Sequence, residues 1–401
     1  LTSLLSRETS VEITYEGFTQ LLSKFSKGRT MAELKEAIVN AFTFTPSTMT
    51  QGWARPVISI RIGAGVEAVE GVDESLLRMV EEATIKAYGE HVSVTPLPRI
   101  RLVFNLTPKE CSGETIASIA SIVQNGGYVA ISTKKRDIHS FAGLRKNLQP
   151  SSSITEGLAI LHSLSLNLPR LARESNRDDT YFRAKLALLI QSSLNALVAR
   201  KRIIRDTMKK GLLPALTYNP SLISTDHIPL IINLTGLNEA SSNLVGDRAP
   251  LTERRVITEK VVETAVKATV DRAGKMGEQA GLSIVQNDAA ERFASLDAEK
   301  YGRSGITTEG GSPSYSQTPF IEAQELSNEA AIQEFNWFHQ KLNGGYSINV
   351  SIPKNLTIEE ISNIISNSLN HLEFFKLCRE VMVCRNCGAK TITPSGRCKV
   401  C

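Results

Sequence analysis

The sequence predicts an α/β fold, a mainly parallel sheet or barrel finished by a small zinc ribbon. Three observations carry that expectation. Strand-like and helix-like segments alternate from residue 55 onward. The segment HIPLIINLTGLNEA at 227–240 is nearly all apolar before it runs into a glycine-containing loop, as a strand covered on both faces must be. Four of the six cysteines fall within the last 18 residues. A chain of 401 residues suits several domains or one large barrel. At that size a compact fold buries roughly three-quarters of its unfolded surface, so no disulfide staple is needed.

The elements follow in order. RPVISIRIG at 55–63 alternates Val57, Ser59 and Arg61 with Ile58, Ile60 and Ile62, which reads as a strand with one wet face. Leu76, Val80, Ala83 and Ala87 stand at helical spacing within 75–91. RIRLVFNL at 99–106 is a second strand. Thr107 and Glu110 form a capping box with Pro108 at the first helical position, so a helix is expected from there to about Val123. YVAIST at 128–133 and LHSLSLNLP at 161–169 are further strands. The longest helical pattern of the first half spans 181–210, with Leu186, Ile190, Leu194, Leu197 and Ile204 as its buried stripe. Helices are expected at 252–280, 288–301 and 319–342, a loop at 302–317, a strand at 345–352, and a helix from the Thr357–Glu360 capping box to about 371.

Composition narrows the function classes. Hydrophobic residues are 41% and charged residues 22%, which is globular rather than disordered. No run of about 18 apolar residues offers a membrane span. LTSLLSRETS at the start does not read as a secretory signal. Together with gathered rather than scattered cysteines, this leads us to expect a cytoplasmic protein with no membrane partner. The net charge of +5 permits an anionic partner without demanding one.

Cys384, Cys387, Cys398 and Cys401 are spaced C-x2-C-x10-C-x2-C. Two such knuckles on a hairpin make a closed tetrahedral all-sulfur site, which suits structural zinc better than disulfides or redox work. Pro394 and Gly396 suit the hairpin tip. Cys111 and Cys378 stand alone and read as small buried hydrophobes.

Several strings, taken in order, resemble the catalytic subunit of anaerobic (class III) ribonucleoside-triphosphate reductase, a glycyl radical enzyme. They are NLPRLARES at 167–175, GLLPALTYN at 211–219, LIINLTGLNEA at 230–240, NDAAERFASLDAEKYG at 287–302, the loop around Tyr315, NGGYSINVSIP at 343–353 and the terminal cysteines. The resemblance implies a glycyl-radical-enzyme-like α/β barrel over 55–380, a zinc ribbon over 381–401 and a divergent segment over 1–54. It also implies radical chemistry. In that family a glycyl radical oxidises a cysteine on a loop inside the barrel, and the thiyl radical takes the ribose 3′ hydrogen. The family's loop reads Met-Gly-Cys-Arg. The equivalent here is Ala142-Gly143-Leu144-Arg145, with Leu144 at the radical position. No glycyl radical string follows the ribbon within these 401 residues.

Two further groups are candidates for binding. Gly236, Asn238 and Glu239 fall where the family's substrate cavity lies, so a nucleoside triphosphate is a candidate ligand; an ordinary strand-to-helix turn is the plain alternative. Lys134, Lys135 and Arg136, with Lys201, Arg202, Arg205 and Lys209 on a helix, are candidate contacts for RNA or a ribosome; a solvated helix end is the alternative. The reading these observations favour is a catalytically inactive relative kept as a binding or regulatory protein. An RNA- or ribosome-associated factor and a working reductase are the alternatives, and a homodimer is a further expectation.

Overall fold

The computed structural model describes residues 12–47, 57–63, 73–95, 97–109, 111–134, 137–147, 163–217, 228–246, 248–303, 306, 308–309, 312–384, 386–391, 398 and 400–401. One sheet has seven strands in the order β1 (Glu12–Tyr15), β2 (Val57–Ile62), β3 (Ile100–Asn105), β4 (Val129–Ser132), β15 (Phe374–Arg379), β14 (Ile348–Ile352) and β12 (Phe320–Ile321). All neighbours run parallel except β4 and β15. A second sheet of four parallel strands has the order β13 (Gly345–Tyr346), β9 (Ala280–Ile284), β8 (Leu230–Thr235) and β7 (Ser163–Asn167). Only Ser347 separates β13 from β14, so one stretch of chain serves both sheets.

Helices cover the outside. α3 (Glu74–Val94), α4 (Gly113–Gln124) and α12 (Ile358–His371) lie along the first sheet. α5 (Leu168–Glu174), α6 (Asp179–Lys209), α8 (Leu237–Val245) and α9 (Leu251–Lys275) lie along the second. The parallel strands require such crossovers, and the alternation read from the sequence supplies them. In β2, Ile58, Ile60 and Ile62 enter the apolar layer beneath the helices, each worth about 1.5–3 kcal/mol. The opposite face of β2 is not wet: Ser59 and Arg61 are 0% and 4% exposed. The alternation was real, but its polar side faces the barrel interior rather than solvent. Tyr88 on α3 fastens the helix layer to the sheet, its hydroxyl donating to the Ile100 carbonyl at 2.8 Å.

Three expected boundaries move. The helix expected from Thr107 begins at Gly113, capped by Ser112, whose hydroxyl accepts from the Thr115 N–H. The helix expected over 252–280 ends at Lys275, and Gly277 at φ 66° turns the chain into β9. The helix expected over 319–342 is three pieces: β12, a 3-10 turn at Ala323–Ser327, and α11 (Glu329–Lys341), capped by Asn328. The strand read at 161–169 is β7, after which Asn167 caps α5, with Pro169 in that helix's first turn. In the first part of the chain, α1 (Phe18–Lys24) and α2 (Met31–Ser47) precede β2, and β1 adds to the sheet beside it.

Candidate functional site

A hairpin of β5 (Asp137–His139) and β6 (Arg145–Asn147) carries Phe141–Leu144 across the inner face of the first sheet. Paired register rows define that face: Arg61, Val103, Ala130, Lys376 and Asn349 form one row, and Asn105, Ser132 and Phe374 another. Phe141 lies buried against Val103, Ala130 and Phe374, so the tip points inward. His139 stacks on Phe374 at 4.3 Å.

Two glycines let the tip sit so deep. Gly143, at φ 99°, would place a Cβ 2.8 Å from the Ser347 Cβ. Gly345, at φ 134°, would place one 2.3 Å from the Gly143 carbonyl oxygen. Leu144 bridges to Gly345 between the two sheets. The tip is held by Glu12, which accepts from Phe141 N at 2.6 Å and Ala142 N at 3.0 Å, and from the Thr14 and Ser59 hydroxyls.

The position expected to hold a thiol is therefore Leu144, half-buried at the base of the inward tip and bridged to Gly345. The two lone cysteines lie elsewhere. Cys111 precedes α4 and is half-buried against the helix-side core. Cys378 is on β15, paired with Ser351 and sharing its face with Lys376 and Phe374, so it belongs to the interior wall. Burial raises its thiol, with Lys376 and Arg101 pulling weakly the other way. The interior histidines are neutral. Burial holds His339 down at about 3, and His139 well below the usual range.

Around Gly236 the family-like strings meet. Gly236 at φ 75° starts α8, and its N–H donates to the Ser316 carbonyl at 2.8 Å. A Cβ there would lie 2.4 Å from Pro169 Cγ, which explains the glycine. Glu239 is turned to the loop, accepting from Ser316 N at 2.8 Å and from Ser316 Oγ at 2.5 Å, whereas Asn238 is exposed. Beside them is a centre that our reading of individual residues missed. Asp297 is fully buried and accepts from Asn167 Nδ2 at 2.8 Å, Arg170 Nε at 2.6 Å and Tyr315 Oη at 2.9 Å. Its partners come from NLPRLARES and the Tyr315 loop, and it lies in NDAAERFASLDAEKYG itself. The persistence of these strings was the available signal.

The four terminal cysteines converge. Their sulfurs lie within 4.8 Å of one another, with Cys384–Cys401 at 3.6 Å and Cys387–Cys398 at 3.5 Å. A tetrahedron with metal–sulfur bonds of about 2.3 Å has edges of about 3.8 Å, so the set fits a four-coordinate ion. Gly388 at φ 70° closes the first knuckle, donating to the Cys384 carbonyl while Cys384 N donates to Ala389. Pro394 and Gly396 lie outside the described residues. Lys390 fastens the ribbon to the barrel through the carbonyls of Val92 and Gly126, at 3.1 and 3.4 Å.

The basic cluster does not form one surface. Lys201 is 4% exposed, ion-paired to Glu278 at 2.6 Å and donating to the Ile228 carbonyl, so it is a buried strut rather than a phosphate contact. The sequence places it near other basic residues, but the helix turns it inward. Arg202 and Lys209 are exposed and Arg205 is half-buried. Lys134 is exposed and paired with Glu373; Lys135 and Arg136 lie outside the described residues. No described helix is long and apolar enough to cross a membrane.

A profile of the family described as anaerobic ribonucleoside-triphosphate reductase matches residues 7–401. No curated protein matches the chain. Among solved structures, it is similar to the anaerobic ribonucleotide reductase from Thermotoga maritima with dATP bound in the specificity site, at TM-score 0.76 and 18% identity over 100% of this chain and 72% of that one. The same enzyme in complex with dATP and CTP gives TM-score 0.73 at 19% identity, covering 100% and 70%. The glycerol-bound B12-independent glycerol dehydratase from Clostridium butyricum gives 0.58 at 10% identity, covering 88% and 56%. At these identities the likeness is one of fold, and that fold is the glycyl-radical-enzyme α/β barrel.

Proposed function

We propose a function that proceeds from one fact: the chain belongs to the anaerobic ribonucleoside-triphosphate reductase family. In this reading it is a member that has kept the barrel and given up the radical step, acting instead by binding, as a regulatory protein. One observation carries it: the inward hairpin presents Leu144 where the resemblance requires a thiol. A leucine C–H bond cannot exchange hydrogen with a glycyl radical and a sugar as an S–H bond does. The structures of T. maritima reductase with dATP and CTP support a nucleotide as the ligand class. Gly236, Asn238 and Glu239 mark the proposed contact region, in which the backbone N–H groups that follow Gly236 in the first turn of α8 would meet the phosphate, the Gly236 N–H itself being given to Ser316. Zinc is the proposed occupant of the four-cysteine cluster, as a structural ion with no open coordination position. A cytoplasmic setting keeps those thiols reduced.

The experiment supplies the purified protein with a competent radical activase, formate and each ribonucleoside triphosphate. The reading expects no deoxynucleotide and no glycyl radical signal in electron paramagnetic resonance; turnover above background overturns it. A second reading is favoured by the interior placement of Cys378: a working enzyme in which that sulfur takes over. It expects turnover that vanishes in Cys378→Ser. No structural observation favours the RNA or ribosome reading.

A further inference from the structure

We propose that the barrel interior holds an oxyanion, bound between Arg101 on β3 and Lys376 on β15. A working reductase and an inert one would both have to balance these charges, so the inference stands apart from the reading above. Both side chains project from the face on which the hairpin tip rests. Lys376 shares a row with Ala130 and Val103, and Arg101 lies two residues before Val103. They meet at one ring: Arg101 Cζ is 4.7 Å from the Phe141 centroid and Lys376 Nζ 5.7 Å from it. Arg101 also lies 5.0 Å from the Tyr128 centroid.

Among the described residues, neither cation has a counter-charge in contact. Lys376 is 4% exposed, and its ammonium makes no hydrogen bond or ion pair among the described residues. The Arg101 Nε is buried and equally unpartnered. The acidic groups whose charge reaches Lys376 are Glu12 and the Cys378 thiol. Glu12 keeps its charge but directs its oxygens to Phe141 N, Ala142 N, Thr14 and Ser59, and among the described residues it pairs with neither cation. Cys378 is held protonated by burial. Burial pushes Lys376 down to about 8, which still leaves it a cation at neutral pH.

Aromatic faces attract cations but do not neutralise them. Two like charges at one ring, Lys376 buried and Arg101 half-buried, are costly unless something opposite arrives. A carboxylate or phosphate group meets the need: the guanidinium fork offers it paired donors and the ammonium a point charge. The group can come as a free ion or as the terminal phosphate of a nucleotide.

The test is thermal melting and titration calorimetry on the whole chain. The additions are inorganic phosphate, acetate or a nucleoside triphosphate, each against chloride at equal ionic strength. We expect at least one oxyanion to bind and raise the melting temperature by about 2 °C near saturation, with the effect lost in Arg101→Gln/Lys376→Met. Should Arg101→Gln fold poorly, Lys376→Met alone must still weaken binding at least tenfold. A triphosphate that binds more tightly than inorganic phosphate identifies the nucleotide as the source; equal or weaker binding identifies the free ion. The proposal is overturned if no oxyanion outperforms chloride, or if the variants bind as well as the natural chain.

Discussion

Two loops close on this barrel, and they treat charge in opposite ways. The Tyr315 loop meets Asp297, a fully buried carboxylate with Asn167, Arg170 and Tyr315 all bonded to it. The Phe141–Leu144 tip lies on half-buried Arg101 and buried Lys376, cations with aromatic rings but, among the described residues, no acid in contact. The first loop is assembled from strings that still resemble the family; the second departs from it at Leu144. A buried, fully bonded carboxylate cannot lose a partner cheaply, so physics alone keeps its neighbours in place. The tip's residue identity is set by chemistry, and packing accepts a leucine there.

The largest expected effect tests the first half of that contrast. Asp297→Ala should cost about 3–5 kcal/mol in chemical denaturation, because it strips Arg170 of its buried counter-charge. A loss under about 1 kcal/mol would put the two loops on an equal footing.

Acid probes the tip from its buried histidines. His339, held at about 3, stays neutral in the fold while the unfolded chain takes up a proton near the ordinary value of about 6.5. The unfolded state therefore binds more protons between those values, and stability falls as pH drops through that window. From pH 7 to 5 the loss should be about 2 kcal/mol for His339, with a further loss from His139, whose value is also lowered. His339→Gln should flatten the urea-midpoint profile; an unchanged slope would move the acid sensitivity elsewhere.

Gly143→Ala is expected to cost about 1–3 kcal/mol, since φ 99° and the nearby Ser347 both oppose a side chain. A neutral outcome would show the tip to be loosely seated. The smallest effect on the barrel should come from metal removal. Chelation should release one zinc per chain, measured by atomic absorption, and loosen the ribbon. The barrel's melting should change little, because among the described residues the ribbon's hydrogen bonds to the barrel are those of Lys390 to Val92 and Gly126. Full loss of the barrel would make the ribbon part of its core.

Much of this was legible beforehand. Repeating apolar positions located β2, α3 and α6, the Thr357–Glu360 capping box located α12, and the cysteine spacing located the metal cluster. What failed was direction. The alternation in β2 shows that Ser59 and Arg61 share a face but not that the face looks into a barrel. The basic run on α6 likewise hides that Lys201 turns inward to Glu278. The helix before residue 113 was misplaced because Thr107 and Ser112 are both acceptable caps, and only the sheet crossing decides between them. Asp297 was opaque because its partners lie 18 to 130 residues away along the chain.

The run from Gly345 to Ile352 pairs with β9 at one end and with β15 at the other. A slip of a single residue there would misalign both halves at once and turn every side chain to the wrong face. Neither half can settle its pairing alone, so unfolding should pass as one cooperative event, without a stage in which one sheet outlives its neighbour.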